Sequence, residues 1–73
     1  MKIEIYGTGC AKCKKLFENA LQAAGRDAQV VKVEDIQQII SAGIMTTPAI
    51  AIDGQVRSVG KLLSVEEIKK LIA

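Results

Sequence analysis

Residues Lys2 to Tyr6 alternate polar and apolar, with Ile3 and Ile5 on one face, and this period of two predicts a short strand that stops at Gly7. The period then changes. From Cys13 onward the apolar positions Leu16, Phe17, Ala20, Leu21 and Ala24 recur at the three-and-four spacing of one helix face, and Gly25 supplies a left-handed stop. Cys10 and Cys13 therefore fall where a strand hands over to a helix. Residues Ala28 to Val33 are rich in valine and predict a second strand. It runs parallel to the first because the helix between them makes a crossover connection.

Beyond this βαβ unit, Asp35 and Gln38 resemble a capping box that opens a short helix through Ile36, Ile39 and Ile40, closed by Gly43. The next segment reads as a hairpin: Ala49 to Ile52, a turn at Asp53-Gly54 suited to type I′, and Gln55 to Val59. Pro48 stands at the entry of that strand, where a missing N–H does least harm. Ser64 and Glu67 form a second capping box, and Val65, Ile68, Leu71 and Ile72 give the last helix its apolar face. The order is βαβαββα, an α/β architecture. The expected sheet is four-stranded and mixed, ordered 2-1-3-4, with the three helices distributed over both faces. Its third strand runs antiparallel to the first, so Thr47-Pro48 should arrive beside Cys10.

Composition narrows the class. At 73 residues the chain is expected to form one domain, residues 1–73, near the lower size limit for a core that folds unaided. It is 49% hydrophobic and 25% charged with a formal charge of +2, a balance that belongs to a globular domain and not to a disordered tail. No basic stripe is visible, and one tyrosine and one phenylalanine cannot build a base-stacking platform, so nucleic acid is not expected as a partner. The N-terminus lacks the features of a signal peptide, and no apolar run reaches the ~20 residues that span a bilayer. A cytoplasmic location without membrane association is the expectation. Thiols are kept reduced there, so a cysteine pair reads as catalytic or metal-binding before it reads as a staple. A bridge across three positions also closes too short a loop to constrain much of the unfolded chain.

The stretch GTGCAKC at a strand-to-helix turn, TTP ahead of a hairpin and a single glycine, Gly60, before the last helix resemble a thioredoxin-fold protein. More narrowly, the chain resembles the short thioredoxin-like or glutaredoxin-like redox-active disulfide proteins of archaea and bacteria. The resemblance implies a protein disulfide oxidoreductase that reduces protein disulfides, serving electron transport and cell redox homeostasis. It implies Cys10 as the attacking cysteine, Cys13 as its resolving partner, and Pro48, preceded by Thr47, as a cis-proline facing them. It further implies a redox-active disulfide in place of any cofactor or metal, disulfide-containing protein substrates, an electron donor such as a thioredoxin reductase, and a monomer. Gly9 replaces the tryptophan usual before the first cysteine, and Ala11-Lys12 replaces the usual inner pair. The glycine pair with which glutaredoxins hold glutathione is reduced to Gly60.

The chemistry suits the placement. Exchange needs one thiolate that attacks and a second thiol near enough to resolve the mixed disulfide. At an ordinary pKa of ~8.5, about 3% of Cys10 would be thiolate at neutral pH, against roughly half at a pKa of ~7. A helix N-terminus contributes about 0.3–1 kcal/mol toward the anion. Lys12, between the two cysteines, adds about 0.6 kcal/mol before screening, and first-turn N–H groups aimed at the sulfur contribute further. Cys13, on the apolar stripe, should be the more buried. Glu4, six positions before Cys10, stands where thioredoxins carry an acid that accepts the resolving thiol's proton, although strand alternation alone also accounts for it. Lys14 and Lys15 read as a solvated helix face ahead of a substrate-steering patch, Tyr6 as core filling ahead of a rim to the site, and Ile44 to Thr46 as either loop packing or a groove for an extended partner segment.

The main rival is a metal-binding module, since copper-chaperone domains carry C-x-x-C between a first strand and first helix. Those domains run βαββαβ and place Met two positions before the first cysteine, where this chain has Thr8. A non-catalytic interaction domain is the third reading, because a fold does not guarantee an activity.

Overall fold

The computed structural model describes residues 1–73. Its elements are β1 (Lys2–Tyr6), α1 (Ala11–Ala24), β2 (Gln29–Val33), α2 (Ile36–Ser41), β3 (Ala49–Ile52), β4 (Gln55–Val59) and α3 (Val65–Ile72). The four strands form one mixed sheet in the order β2-β1-β3-β4. β1 pairs parallel with β2, Ile5 opposite Lys32 and Tyr6 opposite Val33. On its other side β1 pairs antiparallel with β3, Tyr6 opposite Ala49. The order and directions follow the reading from sequence.

Alternation along the strands divides the interior in two. Ile3 and Ile5 of β1 and Ile50 and Ile52 of β3 join Leu16, Ala20, Ala24, Leu63 and Ile68 beneath α1 and α3. Tyr6, Val33, Ala49 and Ala51 point the other way and pack with Ile39 and Ile44 around α2. β3 is buried on both faces, as a central strand requires. Ile3, Leu16, Ile50 and Ile68 are wholly buried, each contributing about 1.5–3 kcal/mol of apolar transfer.

The hairpin turn has positive φ at both Asp53 (50°) and Gly54 (86°), the signature of type I′. The β1 end of the sheet is tied to it, since Asp53 N–H donates to the Lys2 carbonyl at 2.8 Å and Lys2 N–H donates to Asp53 Oδ1 at 2.9 Å. The pairing of β3 with β4 slips between Ile50 and Ala51, leaving Arg57 as an extra residue in β4. The alternation in β4 gave no sign of this bulge.

Three expectations are corrected by packing. The three-and-four spacing puts Leu21 on the buried face of α1, but it is 48% exposed, while Asn19 is buried in that stripe. Asn19 Nδ2–H donates to the Leu63 carbonyl at 2.9 Å, so a polar side chain holds the segment entering α3. In α2, Ile36 and Ile40 are 61% and 66% exposed and only Ile39 is buried, because a six-residue helix turns a single position toward the sheet. Asp35 caps that helix through the Gln37 N–H, and not through a reciprocal box with Gln38. The Ser64–Glu67 box forms in both directions: Glu67 N–H donates to Ser64 Oγ and Ser64 N–H to Glu67 Oε1.

Candidate functional site

The site begins where β1 runs out. Gly7 N–H donates to the Val33 carbonyl at 3.0 Å, extending the β1–β2 ladder by one bond, and Thr8-Gly9 then leads the chain off the sheet. Gly9 takes φ +92°, a region that L side chains rarely enter. Cys10 follows as the N-cap of α1, with extended backbone at φ −67° and ψ 165°. Its carbonyl accepts the first helical bond, from Lys14 N–H at 3.0 Å. Its sulfur accepts a bond from Cys13 N–H at 3.2 Å, so one of the orphan donors of the first turn points at Cys10 Sγ. This is one of the three anion-stabilising contributions expected from the sequence.

Cys10 and Cys13 are joined as a disulfide, their Cα atoms 5.0 Å apart. The two sulfurs live in different surroundings. Cys10 is exposed, whereas Cys13 is 5% accessible and sits at the head of the buried stripe of α1. The closeness of that packing explains Gly7. A Cβ there would overlap Cys13 Sγ and lie 2.8 Å from Cys13 Cβ, so only a residue without a side chain lets the helix start lie on the strand end.

The antiparallel register brings the second segment to the same place. Tyr6 lies opposite Ala49, and continuing the pairing by one position sets Pro48 across from Gly7. The Thr47–Pro48 peptide is cis, Pro48 is fully buried and Thr47 half-buried. Gly60 braces this loop from β4's far end: its N–H donates to the Pro48 carbonyl at 2.7 Å, and at φ +71° a Cβ would come 2.9 Å from Thr46 Cγ2. Before the turn, Ile44 is buried with α2 while Met45 is 98% exposed.

Lys12 is exposed in the first turn of α1, between the cysteines. Cys10, Cys13, Lys12, Thr47 and Pro48 therefore gather at one end of the sheet. Glu4 does not join them. It shares the α2 face of β1 with Tyr6, bordering a surface hollow with Val33, Asp35, Gln37, Gln38 and Ser41, while Cys13 packs on the opposite face. Burial pushes the Tyr6 phenol above its ordinary pKa, and the Glu4 carboxylate beside it adds to the rise. Tyr6 is core, as expected.

Three charged residues stand beside Cys13, and of these the sequence reading names only Lys14. Ile5, Gly7, Gly9, Cys13, Lys14, Lys32 and Glu34 line a small cavity of about 40 Å³. Lys14 is exposed, in keeping with a solvated helix face, and Lys32 and Glu34 are some 20 positions from Cys13, linked to it only through the parallel pairing of β1 and β2. A polar tail on a valine-rich strand is the one signal that could have drawn notice to them.

No group of three or more His, Cys, Asp or Glu side chains is gathered to hold a metal ion. No helix is long and apolar enough to cross a membrane.

The family model described as a thioredoxin domain matches residues 1–73. A protein named Thioredoxin from Methanothermobacter thermautotrophicus is 45% identical to this chain, over 100% of this chain and 99% of its own length. Another of that name, from Methanocaldococcus jannaschii, is 44% identical over 93% of this chain and 81% of its own.

Proposed function

Because the chain belongs to the thioredoxin family and is a thiol–disulfide oxidoreductase, we propose how its residues divide the reaction. Residues 1–73 act as a single thioredoxin-like domain. Cys10 attacks a disulfide of a protein substrate, forming a mixed disulfide and releasing one substrate sulfur as thiolate. Cys13 then attacks Cys10 Sγ, the Cys10–Cys13 bond forms, and the second substrate sulfur leaves reduced. The observation that carries this division is the contrast between the two sulfurs. One is exposed at a helix N-cap with an N–H aimed at it, and the other is buried one turn further in.

Lys12 adds positive charge where the Cys10 anion develops, and Thr47 and Pro48 shape the surface on which an extended substrate segment lies across the disulfide. The cycle uses the protein's own disulfide and no other cofactor. A thioredoxin-reductase-like protein or another dithiol donor regenerates the reduced form. The protein acts as a monomer in the cytoplasm, where such a pair can cycle. The copper-chaperone reading is not favoured: the strand order ends β4-α3, and the family match covers the whole chain.

Reduction of a disulfide-containing protein such as insulin, assayed with Cys10→Ser and Cys13→Ser, tests the assignment. Cys10→Ser should abolish turnover, and Cys13→Ser should accumulate a substrate-linked species visible by mass. Accumulation in Cys10→Ser instead would reverse the roles.

A further inference from the structure

The resolving step needs a proton acceptor, since buried Cys13 must become a thiolate before it attacks. Glu4 is on the wrong face of the sheet for this. The cavity that does touch Cys13 has one carboxylate in its lining, Glu34, with the ammonium groups of Lys14 and Lys32. β1 contributes only Ile5 to the lining, and the loop after it only Gly7 and Gly9, so no titratable group reaches it from that side.

The arrangement is fixed by the fold on several sides. Lys32 stands opposite Ile5 in the parallel ladder, so its side chain emerges on the α1 face, where its Nζ lies 4.6 Å from the centre of the Phe17 ring. Glu34 follows two positions later on the same face, and the bond from Gly7 N–H to the Val33 carbonyl holds the end of β2 against the strand exit. A Cβ on Gly9 would lie 3.7 Å from Glu34 Oε2, which places that carboxylate against the loop leading to Cys10. A volume of about 40 Å³ exceeds the ~10–15 Å³ that one water needs, and Glu34, Lys14 and Lys32 offer it polar partners.

We infer that Glu34 accepts the proton of Cys13 through water in this cavity, with Lys14 and Lys32 balancing the negative charge. The inference rests on the assignment of Cys13 as the resolving thiol. Cys13 Sγ–H passes its proton along the water to a Glu34 carboxylate oxygen. The thiolate attacks Cys10 Sγ of the mixed disulfide, the Cys10–Cys13 bond forms as the Cys10–substrate bond breaks, and the substrate sulfur leaves with the electron pair and takes a proton from solvent. The substrate is reduced, the cysteine pair is oxidised, and Glu34 returns its proton to bulk water. Glu34 acts through water and not by touching sulfur, so it positions the proton transfer.

The test follows resolution alone. Reduced protein is mixed with 5,5′-dithiobis(2-nitrobenzoate), Cys10 becomes linked to one thionitrobenzoate, and release of the second chromophore reports the attack by Cys13, recorded from about pH 5 to 10 by stopped flow. Glu34→Gln should slow that second release by about a hundredfold near pH 6–7, the lower end of what a general base contributes. The difference should close above about pH 9, where hydroxide removes the proton unaided, and Glu34→Asp should recover part of the rate. An unchanged second phase in Glu34→Gln overturns the inference, as does an equal slowing at every pH, or a loss that appears in Glu4→Gln in its place. Cys13→Ser separates the two levels. If it retains the second chromophore, a failure of Glu34→Gln counts against Glu34 alone. If it releases that chromophore at the wild-type rate, the assignment of Cys13 falls and the inference with it.

Discussion

Replacing Gly7 by alanine should show how tightly the redox centre is built onto the sheet. The added Cβ would overlap Cys13 Sγ and stand 2.8 Å from Cys13 Cβ, whereas carbon atoms in ordinary contact are ~3.5–4.0 Å apart. Relief requires about 1 Å of movement by the first turn of α1, yet Leu16 and Ala20 on the same stripe are fully buried and leave little room. Overpacking of this kind costs about 1–3 kcal/mol. At roughly 4–8 °C per kcal/mol for a domain of this size, the oxidised protein should melt about 5–20 °C lower. The dithiol form should suffer less, because a sulfur no longer bonded to Cys10 can rotate away from the new methyl group. A differential of about 1 kcal/mol then favours the reduced state by about fivefold in its equilibrium with glutathione. Thermal unfolding of both redox states, with quantitative trapping of thiols in glutathione buffers, measures both quantities. An oxidised Gly7→Ala protein melting within about 1 °C of wild type would refute the packing argument. A lowered melting point with an unmoved glutathione equilibrium would refute the role given to the bonded sulfur.

Other expectations follow from single contacts. Asn19→Ala removes the donor to the Leu63 carbonyl and should cost about 1–3 kcal/mol in urea denaturation, with the larger loss in Asn19→Leu if the carbonyl has no other partner. Ser64→Ala breaks the capping box of α3 and should cost about 0.5–2 kcal/mol by the same measurement. The hydrogen bonds from the Ser64 backbone and side chain hold the Glu67 carboxyl below its ordinary range. Its contribution is therefore complete above about pH 5 and is lost as pH falls through the lowered pKa, so Glu67→Gln should flatten the acid limb of a stability–pH curve. Burial and the Glu4 charge raise the Tyr6 phenol, so the folded state should hold its stability up to about pH 10 and lose it as pH rises further; Tyr6→Phe should remove that alkaline slope.

The elements of this fold were legible because their signals are local. Period-two alternation around Ile3 and Ile5, the three-and-four spacing from Cys13, the Asp53-Gly54 turn and the Ser64–Glu67 box each depend on residues within a few positions of one another. The crossover rule then sufficed for the sheet order, since few arrangements satisfy it. Errors arose where burial depends on what lies opposite. Leu21 has an apolar side chain but no partner covering it, and Asn19 is buried because the Leu63 carbonyl 44 positions away accepts its hydrogen bond.

The cysteine site divides the same way. Spacing alone made Cys10 and Cys13 a reacting pair at the head of a helix, because three positions span one turn whatever surrounds them. Which face each neighbouring charge occupies is a matter of register and pleat, and these belong to the assembled sheet. Glu4 and Glu34 look equally available along the chain, yet pairing β1 with β2 puts the first beneath α2 and the second beside Cys13. A strand sends successive side chains to opposite faces, and only its partners decide which face meets the helix that carries the thiols.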